Sequence, residues 1–173
     1  MFTIRCGMFE TNSSSSHAIC VRGNGEISVN VEEVEQILNN DGKWIINDGD
    51  CCYGRSPFRY LSTFKEKVLY ALACFGGLDE DVSVIVAKYV PKFTGFDVEL
   101  TEQAKTRLEE ENCYPMTYFY TDDSILYTWL KSHKVSLEDF LTSDKYFVIC
   151  DGDEYCIYEY LVDNKFMQDL AKE

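Results

Sequence analysis

The sequence predicts an α+β fold: a single domain over residues 1–173, mainly antiparallel sheet, with several helices packed on it. Three observations carry this. Apolar residues recur at helical spacing in some segments and alternate in others, and the two kinds are interspersed without a repeating βαβ order. Short strand-like runs are bounded by Gly, Asn and Asp turns, and Asp151-Gly152 separates two β-rich runs. A chain of 173 residues with 46% hydrophobic content can bury a core without disulfide staples, and no internal repeat or long linker divides it.

In chain order, Phe2, Ile4 and Cys6 alternate with polar neighbours and predict a strand over 2–6; residues 18–21 predict a second. Arg22-Gly23-Asn24-Gly25 is turn chemistry, so 26–29 reads as a return strand. Asn30 and Glu33 have cap spacing, and Val31, Val34, Ile37 and Leu38 form one helical stripe, stopped by Asn39-Asn40-Asp41-Gly42. Residues 44–46 predict a short strand and 47–57 a loop. Thr63 and Glu66 have capping-box spacing. Phe64, Val68, Ala71, Leu72 and Phe75 follow on one helical face up to Gly76-Gly77. Segment 79–90 fits either period, but the acidic start at Asp79, Glu80 and Asp81 and the stop at Pro91 favour helix. Residues 93–100 predict a strand around Gly95, 101–111 an exposed helix, 116–120 a strand, and 124–131 and 136–141 two short helices. Residues 146–150 and 155–161, flanking Asp151-Gly152-Asp153-Glu154, predict a hairpin.

The net charge is −14, from 30 acidic and 16 basic residues. Such a chain repels phosphate backbones, so direct nucleic-acid binding is not expected, whereas basic proteins are attracted. Twelve Tyr and 11 Phe suit half-buried strands and contact surfaces. Eight cysteines stand at positions 6, 20, 51, 52, 74, 113, 150 and 156, and the opening MFTIRCGMFE has no apolar signal stretch. The expectation is a cytoplasmic protein whose thiols pack as small hydrophobes, with no membrane span.

The most unusual segment is Asn12-Ser13-Ser14-Ser15-Ser16-His17. It places hydroxyls, an amide and an imidazole in one short stretch, so it is a candidate anion-binding loop together with Arg5. Ser13 and Ser15 are candidate nucleophiles with His17 as a general base, although neighbours in sequence do not by themselves make a dyad. A turn with locally satisfied hydroxyls is the structural alternative. Phe9-Glu10-Thr11 followed by this run resembles the opening of a group of uncharacterised proteins from phages and low-GC Gram-positive bacteria. The resemblance is specific over residues 5–19 and looser beyond. It implies a phage or mobile-element setting inside a bacterial cell.

The remaining constellations are weaker. Arg5, a serine of the run and Glu154 or Glu159 can be cast as a nucleotide transferase set, but spacing does not single them out. Asp48-Gly49-Asp50 and Asp151-Gly152-Asp153-Glu154 lack the continuation of a calcium loop and read as turns. No C-x-x-C pair exists and the only histidines are His17 and His133, so no metal is expected. Cys150 and Cys156 bracket the predicted hairpin; buried thiols are a simpler reading than a redox pair. No phosphate-binding glycine loop is present and no cofactor is expected. Arg55, Arg59, Lys65 and Lys67 form the one local basic cluster, either a small anion or partner site or, more simply, a solvated helix start.

Two functions follow as expectations. The first is a protein-binding inhibitor or modulator of a bacterial host protein with a basic surface, nucleic-acid-binding proteins included. The second is a hydrolase or nucleotide-using transferase with its site at the Asn12–His17 loop.

Overall fold

The computed structural model describes residues 7–10, 16–53, 59–112, 114–115, 118–121 and 125–151. Strand β1 (Gly7–Glu10) is followed by β2 (Ser16–Val21), helix α1 (Val31–Glu35), β3 (Lys43–Ile46), β4 (Cys51–Cys52) and β5 (Arg59–Leu61). Then come α2 (Phe64–Phe75), α3 (Glu80–Tyr89), β6 (Gly95–Val98), α4 (Glu102–Glu111), β7 (Phe119–Tyr120), α5 (Ile125–His133), α6 (Leu137–Thr142) and β8 (Tyr146–Asp151). The fold is α+β, as the sequence predicts.

The largest sheet has the order β1-β2-β8-β5, antiparallel throughout. Its centre is apolar on both faces: Ala18, Ile19 and Cys20 of β2 and Phe147, Val148 and Ile149 of β8 are all buried. Register pairs His17 with Cys150 and Ile19 with Val148, and on the other side Arg59 with Cys150. Two parallel ladders, β3 with β6 and β4 with β7, form separate two-stranded sheets. Neither was legible, because parallel partners are joined by long crossovers rather than local turns.

Helix α2 is the hub, packed against α3, α5, α6, β4 and β7. Local signals define it. The Thr63 hydroxyl accepts from the Glu66 N–H, and the Glu66 carboxylate accepts from the Ser62 and Thr63 N–H groups at 2.9 Å. Gly76 ends it in the left-handed conformation (φ 72°), which a side chain would resist, with its N–H donating to the Ala73 carbonyl. Phe64, Val68, Ala71 and Leu72 are buried as predicted. A fully buried residue of this kind contributes about 1.5–3 kcal/mol. Helix α4 is the opposite case, with Ala104 its only buried residue.

The return strand expected at 26–29 does not form. Ile27 makes an isolated bridge to Ser143, and the segment runs beside the 142–145 turn instead. The Arg22 N–H donates to Lys145 O (2.8 Å), Ser28 N–H to Thr142 O (2.7 Å) and Asp144 N–H to Glu26 O (3.0 Å). Gly25 permits this approach. A Cβ there would overlap Lys145 Cβ and stand 2.7 Å from Ser143 Oγ. The strand expected at 2–6 and the second hairpin strand at 155–161 lie outside the described residues. No described helix is long and apolar enough to cross a membrane.

Candidate functional site

Arg5, Asn12, Ser13, Ser14 and Ser15 lie outside the described residues. Ser16 opens β2, opposite Glu10 and Asp151. His17 follows it into the core and is 2% exposed. Its Nε2 is 3.0 Å from the Tyr53 carbonyl, which can only accept, so Nε2 carries the proton. That leaves Nδ1 to accept from the Tyr70 hydroxyl at 3.4 Å. Tyr70 is fully buried, stands edge-on to Tyr53, and its hydroxyl is also hydrogen-bonded with the Cys74 thiol.

The thiols and phenols around His17 stay protonated. Burial pushes the Cys74 thiol up to about 12 and raises the Cys51 and Cys150 thiols as well. Burial likewise raises the hydroxyls of Tyr53 and Tyr70 far above the usual phenol range. Thiols held protonated in this way are poor nucleophiles and poor metal ligands. Among the described residues no three His, Cys, Asp or Glu side chains are placed to hold a metal ion. The arrangement around His17 satisfies buried polar groups. Cys156, which brackets the predicted hairpin with Cys150, lies outside the described residues.

A polar cavity of about 340 Å³ opens beyond the other end of β2, with Arg22, Ser62, Thr63, Asn30, Glu33 and Asp144 in its walls. The Arg22 guanidinium lies over the Phe147 ring, 5.2 Å from its centre, and donates to the Tyr60 hydroxyl. Its Nε is buried with no hydrogen-bond partner among the described residues. Close by, Lys67 enters from α2, 1% exposed, and its ammonium donates to the Ser143 carbonyl at 2.7 Å. Desolvation, opposed by Asp144 and aided by the Arg22 charge, lowers its pKa to about 8.

Lys67 corrects the reading of a solvated basic helix start. It lies three residues after Phe64 and four before Ala71, on the apolar face, and that spacing was the available signal. Arg59 is held over the Tyr53 ring at 5.3 Å, Lys65 is half-buried, and Arg55 lies outside the described residues. Arg22 carried no such signal, since the end of a strand is a common place for a solvated arginine. The Asp48-Gly49-Asp50 segment is a turn, with the Asp50 carboxylate accepting from the Asn47 N–H at 2.8 Å.

The outer surface is acidic. Four ion pairs occur among the described residues, Lys43–Asp97, Lys88–Glu138, Lys92–Glu35 and Lys105–Glu102. Each joins one lysine to one carboxylate, so the excess of acid is unchanged by them. On α4, Glu109, Glu110 and Glu111 are exposed. Comparison with known proteins finds no matching family, no similar curated protein and no similar solved structure.

Proposed function

We propose that the protein is a protein-binding inhibitor or modulator, docking through its acidic surface onto a basic protein of a bacterial host. The resemblance of the 5–19 segment to phage and Gram-positive proteins supplies that setting. The observation that carries the reading is the excess of acid: with a net charge of −14, α4 presents three consecutive exposed glutamates, Glu109, Glu110 and Glu111. A field of one sign steers association with an opposite surface and weakens with salt. A nucleic-acid-binding protein is the partner class that such a surface fits, because its own basic face is built for phosphates.

The enzyme reading at the 12–17 loop has less support, since the His17 ring faces Tyr53 and Tyr70 inside the core. The test is binding of the purified protein to a panel of purified basic, nucleic-acid-binding bacterial proteins at low and high salt. A partner should be held at low salt, released at high salt, and bound at least tenfold more weakly by the triple variant Glu109→Lys, Glu110→Lys, Glu111→Lys. Absence of any such partner, or undiminished binding by the triple variant, sinks the proposal.

A further inference from the structure

In a chain with 30 acidic residues, two neighbouring cations, Arg22 and Lys67, make no ion pair with a carboxylate among the described residues. Both are fixed rather than free to swing. Phe147 and Tyr60 clamp the Arg22 guanidinium, and the Lys67 ammonium is tied to the Ser143 carbonyl. The buried Nε is out of a ligand's reach, so what the cavity can use is the rest of the guanidinium; holding that charge half-buried is expensive for structure alone, because an apolar residue would cover Phe147 without desolvating a charge.

The cavity beside Arg22 gives this charge a use. Its walls carry hydroxyls at Ser62 and Thr63, an amide at Asn30, and carboxylates at Glu33 and Asp144. The capping box already occupies the N–H groups of Ser62, Thr63 and Glu66, so the pull on an anion comes from the side chains and not from the helix end. The carboxylates make the cavity two-signed. One Asp144 oxygen accepts from the Glu26 N–H at 2.8 Å, which fixes that carboxylate at the wall. A bare anion would meet repulsion there, while a ligand bearing donors would not.

We propose that this cavity binds a small polar ligand whose phosphate or carboxylate group takes the Arg22 guanidinium and whose hydroxyl or amino groups take Asp144 and Glu33. At about 340 Å³ the space suits a small metabolite and not a polymer. The site is separate from the α4 surface, so a ligand here is compatible with a docked protein.

The test is titration of the ¹⁵N-labelled full chain with glycerol 3-phosphate and, separately, with L-serine, at ionic strength matched with sodium chloride. One or both should give saturable amide shifts centred on Arg22, Ser62, Thr63 and Asp144, and Arg22→Gln should weaken binding at least tenfold. Response to glycerol 3-phosphate assigns a phosphate head, and response to L-serine a carboxylate head. No saturable shift with either probe, shifts centred elsewhere, or equal affinity in folded Arg22→Gln overturns the proposal. Should Arg22→Gln not fold, the shift map of the unaltered protein decides alone.

Discussion

The two ends of strand β2 treat a basic side chain in opposite ways. His17, at the start, is enclosed, with one ring nitrogen donating to Tyr53 and the other accepting from Tyr70. Arg22, just past the end, is clamped by Phe147 and Tyr60 yet leaves Nε unmet and makes no ion pair among the described residues. Polar groups that the fold has fully served belong to its stability. A charge that the fold has fixed beside a cavity, with no ion pair among the described residues, is where a ligand gains most, because part of its desolvation has already been met.

The comparison can be broken most directly at His17. His17→Ala should destabilise the protein by about 3 kcal/mol, combining a cavity with a stranded phenol and carbonyl, as read by urea denaturation. A loss under about 1 kcal/mol would remove the structural reading of that end. Next is Gly25→Val, which forces the 22–25 segment off the Ser143–Lys145 turn. About 2 kcal/mol of overpacking is expected, and loss of the shifts seen on ligand titration should accompany it.

Lys67 sharpens the Arg22 end through pH. Its folded pKa, about 8, lies below the ordinary 10.5, so between those values the unfolded chain holds more protons. Stability should therefore rise with pH from about 8, with a slope of roughly 1 kcal/mol per pH unit. Burial sets this shift, with Asp144 and Glu66 opposing it and the Arg22 charge adding to it. The buried thiols act in the other sense. Their folded values are raised, so they contribute stability below the ordinary 9.0 and lose it as pH climbs towards those values. Lys67→Met should flatten the rise between pH 8 and 9 and leave the alkaline fall in place; a rise unchanged in Lys67→Met would refute the assignment. The smallest effect is for Arg22→Gln, which should shift the denaturation free energy by less than about 1 kcal/mol while abolishing ligand response.

What the sequence revealed follows the range of the interaction involved. Helix α2 was legible to the residue, because its capping box and its Gly76 stop are contacts within a few positions. Helix α3 fitted two periods, and the Asp79 cap with Pro91 decided it correctly. The 26–29 segment misled because Gly23 and Gly25 look like a hairpin turn, while Gly25 in fact serves a contact with Lys145. The site was less legible than the fold. His17 precedes the apolar run 18–21 and could have been read as its first buried residue, but the serines before it suggested a loop. Arg22 and Lys67 meet across a turn far along the chain, and no local pattern announces such a meeting.

The central place of β8 has a consequence for synthesis. Strands β2 and β5 each pair with β8 and not with one another, so this sheet cannot join before residues 146–151 have been made. At ribosomal speeds of about 5–20 residues per second, β2 waits on the order of ten seconds for that partner. Throughout the wait its β8-facing edge is open, and the apolar side chains of Ile19 and Cys20 lack the cover they have in the finished sheet. That open edge is the part of the nascent chain exposed to wrong pairing until β8 arrives, a hazard set by the topology and not by the stability of the finished fold.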